Sequence, residues 1–436
     1  MRQNFIFITL IALLITFASA TIHIKTLTFV PFITPDSEIH DLKGQHLVTL
    51  KPYLKILKWA VPNISEINSI AELQNNQVII LPWNSFDNKL HYLPINNNYF
   101  FESNEGAIQV KAFRLKSDFY DDFLKKNITL TAGGTVVLAR GVHLAMNRHK
   151  DIHHPWKGTR HLFKNSDINI VNFKSPLVKN FKYPKSSWLL IGKSEYAKGL
   201  SKSNIHLVGV AGNHMGDAKQ SGLKETLDTL DYYHIKHVGA GLEKKAAYHC
   251  EVLKRKGKQF GFLAFNNVPG SISKATETSA GVAWLDKQAL SAIRKCDSQV
   301  DVLIVMVNWG IEYTHIPREI EQEWAKKMVL SGADLIIGDQ AHWVQNHEKI
   351  NGAHVSYGLG NYIFDQHWSE KTKQGIIQKF VFYNNKIYLN KTIPIKLAKD
   401  GSINELKRNS KQFHNILNIY NKKITSFKSK KNINDF

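Results

Sequence analysis

Between residues 127 and 397 the chain alternates short, nearly continuous apolar runs with stretches whose apolar residues recur every three to four positions. The runs, bounded by Gly, Asn and Asp, predict buried strands over 128–138, 168–172, 205–211, 259–266, 302–308, 335–338 and 354–358. The periodic stretches predict helices. Over 219–233, Leu223, Leu227 and Leu230 share one face. Over 317–331, opened by Pro317 and closed before Gly332, Ile320, Trp324 and Met328 recur. Strands alternating with amphipathic helices predict an α/β fold built in layers. Residues 21–124 mix shorter apolar runs with Asn-rich turns and read as a small N-terminal α/β domain. There Val78 to Trp83 predicts a buried strand, and 69–74 a short helix with Ser69 and Glu72 at capping-box spacing. Residues 398–436 read as a basic tail ending in a helix: after residue 400, eight Lys and Arg face only Glu405 and Asp435.

The first twenty residues have the pattern of an export signal. Arg2 supplies a positive start, Phe5 to Ala18 is apolar, and Ala18-Ser19-Ala20 has the small-x-small shape of a cleavage site. That run of 14 residues is short of the roughly 20 that a spanning helix needs. The expectation is an exported chain, periplasmic, envelope-associated or secreted, beginning near Thr21. An uncleaved N-terminal anchor is the alternative. With 436 residues and 43% apolar composition, the chain has enough for two packed domains, which excludes a disordered or collagen-like protein. The formal net charge is +21, which favours polyanionic surroundings such as an acidic polymer or an anionic membrane surface. Nucleic acid is not the expected partner, since base readers rely on Arg forks and only nine of the 57 basic residues are Arg.

Chemistry-bearing residues gather where strands end, the place where α/β folds build sites. The clusters are Gly134-Thr135 with Arg140; Asn172 to Pro176, which contains Lys174; Ala211 to Asp217, with Asn213 and His214; Asn308 to Tyr313, with Glu312; Gly338 to Gln345, with Asp339, Gln340 and His342; and Tyr357 to Gln366, with Asn361 and Asp365. Their convergence on one sheet edge is predicted. Each has a plainer reading as well. Asp217 and Gln220 stand at capping-box spacing before the 219–233 helix. Glu312 and Asp365 suit charge partners of Arg140 or Lys174. Trp309, Tyr313, Trp343, Tyr362 and Trp368 suit core or rim packing. Cys250 and Cys296 either pair or stay as two buried thiols, and neither looks catalytic. His143, His149, His153, His154 and His161 form a dense run in which no spacing dictates a tetrahedral metal site.

Taken in order, these clusters resemble the bacterial CapA family associated with poly-γ-glutamate capsule synthesis, itself similar to a divergent branch of the calcineurin-like metallophosphoesterases. The resemblance runs from about residue 129 to 396. Asn172-Phe173-Lys174-Ser175-Pro176 stands where the family has Asn-Leu-Glu-x-Pro, and Ala211-Gly212-Asn213-His214-Met215-Gly216-Asp217 where it has Ala-Asn-Asn-His-x-x-Asp. A His-x-Gly-Ala-Gly-like element follows at His237 to Gly241. Asn308-Trp309-Gly310-Ile311-Glu312-Tyr313 stands for His-Trp-Gly-x-Glu-Tyr, Gly338-Asp339-Gln340-Ala341-His342 for Gly-His-His-Pro-His, and the segment from Tyr357 to Asp365 keeps the family's ending.

The resemblance implies a metallophosphatase-like layered αββα sandwich over 127–397. It also implies a site in which Asn213, His214 and His342 are the catalytic candidates. Lys174, Asn172, Arg140, Asn308, Glu312, Asp339, Gln340, Asn361 and Asp365 would line it. The family's Asp, Glu and His ligand positions hold Thr135, Lys174 and Asn308 here. An ammonium has no lone pair to offer a metal, so the expectation is at most one divalent ion, with Asn213, His342 and Asp339 as its donors. Three function classes follow: a metal-dependent envelope hydrolase, a non-catalytic binder of an acidic envelope polymer, and an accessory protein of a capsule-synthesis complex.

Overall fold

The computed structural model describes residues 24–33, 46–50, 57, 63–67, 73–74, 77–82, 91–92, 108–113, 120–182 and 188–424. The export-signal residues and positions 69–72 lie outside them. Chain contacts divide the protein into two compact units, Met1–Asn127 and Ile128–Phe436. In the smaller unit a six-stranded mixed sheet runs Ser65–Ile67, His46–Leu50, Gln77–Pro82, Ile24–Ile33, His91–Tyr92, with Ile108–Phe113 also pairing Ile24–Ile33. Val78, Ile79, Ile80 and Leu81 are all buried, as a strand covered on both faces requires.

The larger unit holds two principal sheets. In the first, Lys236–Val238, Leu207–Gly209, Ile168–Phe173 and Ile128–Val136 run parallel. Gln374–Tyr383, Lys386–Leu397 and Ile403–Glu405 continue it antiparallel, and Asn361–Ile363 pairs the end of Ile128–Val136. The second runs Glu251–Arg255, Lys258–Asn266, Val302–Asn308, Leu335–Asp339, Ala353–Ser356, His347–Ile350, with parallel pairing in its middle and antiparallel edges.

Three cores show how the sheets stack. Leu130, Ile170 and Leu207 of the first sheet share one core with Phe262, Ile304 and Ile337 of the second, so these faces meet. On the far face of the first sheet, Val171 and Phe173 pack with Leu223, Leu227 and Leu230 of the helix Lys219–Tyr232. On the far face of the second, Leu303, Val305 and Val307 pack with Ile293 of Lys287–Asp297 and Met328 of Glu319–Leu330. Successive residues of Val302–Asn308 thus point alternately at the facing sheet and at the helices, and every one is buried. The order is helix, sheet, sheet, helix: the αββα sandwich.

Two local expectations are corrected, and a third point, left open by the sequence, is decided. Ile320 is exposed; the face of Glu319–Leu330 that packs carries Glu321, Ala325 and Met328. Buried Glu321 accepts from the Arg318 backbone N–H at 2.7 Å and from its guanidinium, closing the first turn with a salt bridge. Asp217 does not cap Lys219–Tyr232, whose N-cap is Ala218 without a side-chain bond. Cys250 and Cys296 are joined in a disulfide that ties Lys287–Asp297 to the strand beginning at Glu251.

Ile403–Glu405 and Lys411–Asn421, beyond the predicted end of the main domain, are built into this unit. Ile403–Glu405 extends the first sheet. The helix Lys411–Asn421, capped by the Ser410 hydroxyl, buries Ile416, Leu417 and Tyr420.

Candidate functional site

Strand register brings the predicted clusters together. Across the first sheet Asn361 stands opposite Thr135, Thr135 opposite Asn172, and Asn172 opposite Gly209. Across the second, Asn266, Asn308 and Asp339 stand side by side. Apart from Asn361, which opens its strand, both rows lie at the carboxyl ends of parallel strands, where the loops that follow can build a pocket.

Lys174 sits at the centre and is buried, its side chain 3% exposed. Its ammonium donates to Gln340 Oε1 at 2.7 Å and lies 3.3 Å from Asp339 Oδ2. The other carboxylate oxygen of Asp339 accepts from the Thr135 hydroxyl. Burial pushes the lysine below its ordinary pKa, while Asp339 and then Glu312 pull it back up. Gly212 makes room for the stem, since a Cβ there would stand 3.0 Å from Lys174 Cγ. Asn308 donates to Asn266 Oδ1 at 2.7 Å and to Asn213 Oδ1 at 3.3 Å. A cavity of about 10 Å³, lined by Asn172, Lys174, Asn308 and Asp339 among others, has room for roughly one water-sized group. Asn172 Nδ2 and Asn308 Oδ1 are buried there without a protein partner.

His342 lies beside this cluster, buried, its Nδ1 2.9 Å from Asn361 Oδ1. Asn361 Nδ2 donates to Gln366 Oε1 and to the Thr372 carbonyl, both at 2.9 Å. With its amide nitrogen so committed, Asn361 presents its oxygen to the ring, and Nδ1 must carry the hydrogen. Nε2 is left with its lone pair, 3.8 Å from Glu312. Burial, and next the Lys174 charge, push the His342 pKa down to about 3, so the ring is neutral at ordinary pH.

His214, one third exposed, bonds Asp217 Oδ2 at 3.0 Å. Asp217 also accepts from the Leu190 backbone at 2.7 Å and from Ser271. Burial raises its carboxyl, but these bonds outweigh it and hold the pKa below the ordinary range. Glu312 is partly exposed and accepts from Gln340 Nε2 at 3.3 Å. Arg140 and Asp365 pair with each other, and Asp365 also accepts from the Gly141 N–H at 2.8 Å.

Arg140, Tyr313, Gln340 and His342 all take positive φ, a sparsely populated conformation for residues with a Cβ that gathers at functional sites. The predicted aromatics divide. Trp309 and Tyr362 are core. Tyr313 lies 6.2 Å from His342 and 6.4 Å from Trp368, and with Trp343 these rings form a rim. Asn266 and Ser271 join the site though no motif marked them; Asn266 ends an apolar strand as the others do.

The family described as "Bacterial capsule synthesis protein PGA_cap" matches residues 129–366, more than half of the sequence. The chain belongs to this family. Among its relatives is the "Capsule biosynthesis protein CapA" of Bacillus anthracis, 27% identical over 64% of this chain and 69% of that one. Another is the "PGA biosynthesis protein CapA" of Bacillus subtilis, 28% identical over 55% of this chain and 66% of that one. The match thus spans about two thirds of each relative's length. Among solved structures, the NAD nucleotidase of Haemophilus influenzae aligns with a TM-score of 0.37 at 12% identity, covering 66% of this chain and 55% of that one. In this member of the PGA_cap family, the strand-end positions hold Thr135, Lys174, Asn213, Asn308, Asp339 and His342.

Proposed function

We propose that this chain is an exported protein of cell-envelope or capsule polymer synthesis, export or anchoring. The polymer is of the poly-γ-glutamate type, and the strand-end pocket uses Lys174 where a metallophosphoesterase would use metal. Family membership and the relatives' names support the setting. Export is supported by the N-terminal residue pattern and by the Cys250–Cys296 disulfide, a bond typical of oxidising compartments. The net charge of +21 suits an acidic polymer or a capsule-synthesis complex at an anionic membrane surface.

The observation that carries the reading of the pocket is the buried contact of Lys174 with Asp339 and Gln340. The residues do not fit a pair of divalent ions. Two such ions would bring about four positive charges beside an ammonium that already takes the Asp339 carboxylate. The cavity of about 10 Å³ is smaller than that assembly.

A second reading, a hydrolase with one divalent ion at Asn213, His342 and Asp339, is favoured by one feature: the neutral His342 ring keeps its Nε2 lone pair.

The test is metal analysis of the purified mature chain, with phosphodiesterase assays in added manganese and zinc. Neither a metal pair at the pocket nor phosphodiesterase turnover is expected, and Lys174→Glu with Thr135→Asp should raise metal affinity by restoring oxygen donors. Two tightly bound ions in the unmodified chain that are released by Lys174→Glu would overturn this reading.

A further inference from the structure

The histidine run between residues 143 and 161 is not one cluster in space. His143 bonds Tyr196 and Asn147, and His161 bonds Glu405 at 2.6 Å. His149 and His154 instead come together. His149 ends the helix Arg140–His149, and Lys150 at φ 50° reverses the chain. His154 opens the short turn His154–Trp156. Their rings stack at 3.8 Å, only 8° from parallel. Asp400, in the turn joining Lys386–Leu397 to Ile403–Glu405, meets them: its carbonyl is 3.0 Å and its Oδ2 3.7 Å from His154 Nε2. Its Oδ1 accepts from the Ser402 backbone and hydroxyl at 3.0 and 2.7 Å. That fixes the carboxylate and turns Oδ2 towards the imidazoles.

We propose that His149, His154 and Asp400 form a site for one divalent ion of the zinc class, separate from the strand-end pocket. One ligand atom from each residue lies within 4.8 Å of the other two. Zinc–ligand bonds of roughly 2.0–2.2 Å would draw them closer. Rotation of His149, which is exposed, and of the half-exposed Asp400 side chain supplies that movement, and the ion takes the place of the hydrogen that buried His154 Nε2 donates to the Asp400 carbonyl. Two imidazoles and one carboxylate select zinc, copper or nickel over magnesium and calcium, which prefer all-oxygen shells. A cleft of about 510 Å³ lined by Lys157, Lys399 and Asp400 adjoins the cluster, so a further coordination position is open to water or an anionic ligand. The ion would staple a helix end to a turn some 250 residues further along the chain.

The experiment titrates zinc into tag-free, chelator-stripped full chain, in competition with a chromophoric chelator, and follows thermal unfolding with and without the ion. One site is expected, and zinc should raise the unfolding midpoint. Loss of outer-shell partners alone weakens metal affinity about 10–100-fold. Loss of a ligand in His149→Gln or Asp400→Asn should therefore cost at least ~10-fold and abolish the thermal shift, whereas His153→Gln and His342→Gln should change neither. His149→Gln alters an exposed side chain, so its fold is retained. Absence of zinc binding, or affinity unchanged in His149→Gln, would overturn the proposal. So would a site lost in His342→Gln instead, and that outcome would point to the strand-end pocket.

Discussion

Lys174 decides the chemistry of the strand-end pocket because burial leaves it little freedom. Its contacts are protein groups, Gln340 and Asp339, so it is not offered to a polymer passing over the surface. Its charge reaches His342, which burial and then that charge hold down to about 3. The His342 ring should therefore show no titration between pH 8 and 5 in an NMR experiment. Lys174→Met removes the positive neighbour and leaves Asp339 beside the ring, so the His342 pKa should rise. A ring that titrates near pH 6.5 in the unmodified chain would contradict the burial and the contact together. The motif order in the sequence placed these residues at one edge. It could not show that Lys174 points inward, because a lysine after a strand is more often solvated than buried, and depth depends on what Gly212 and Gln340 leave open.

At the scale of elements, Asp365 works as a distant helix cap. Its carboxylate accepts from Gly141 N–H at 2.8 Å and pairs with Arg140, closing the start of Arg140–His149 across 224 residues. Asp365→Ala should cost about 1–2 kcal/mol, the usual loss for a capping side chain, measured by urea denaturation. Unchanged stability would mark Asp365 as free for ligand. The disulfide closes a loop of 46 residues, for which the chain-entropy account gives at most about 4 kcal/mol. Cys250→Ser should lower the denaturation midpoint accordingly, and reduction of the unmodified chain should match it. Seven strands were legible because apolar runs of four to eleven residues mark covered strands, whereas Gln374–Tyr383 and Lys386–Leu397, more mixed with polar residues, were not foreseen. The Glu319–Leu330 face was not: a salt bridge from Arg318 lets Glu321 enter the core where Ile320 was expected. Hydropathy alone cannot foresee a paired, buried carboxylate. Asp217 looked like a cap on spacing, yet it holds His214, Leu190 and Ser271, partners that only the folded loops bring near.

For the whole molecule, layering of strands and helices followed from their alternation and the two-sheet sandwich from the family resemblance, whereas contacts such as His154 with Asp400 span distances no local pattern encodes. The same packing sets the response to acid. Buried and half-buried histidines hold their neutral form: His354 lies well below its ordinary pKa through burial, and half-buried His206 is pushed down to about 4 by desolvation and then by Arg255. His342 adds to them. Each takes a proton near pH 6.5 once the chain unfolds but refuses it while folded. Below that pH the unfolded state binds more protons, and stability falls as pH drops from 6.5 towards 4. Carboxylates act in the same direction at lower pH. Glu370 is held down to about 2 by Lys373 and Lys396, so its contribution is present above about 4.5 and fades as pH approaches 2, though solvent screens this exposed group. The urea midpoint should therefore be lower at pH 5 than at pH 7.5. His354→Gln, which keeps a polar group beside Ser356 and Tyr420 but cannot take the proton, should flatten the dependence between those values. A midpoint equal or higher at pH 5 would mean that these rings are hydrated in the native protein, and the packing described around them would be wrong.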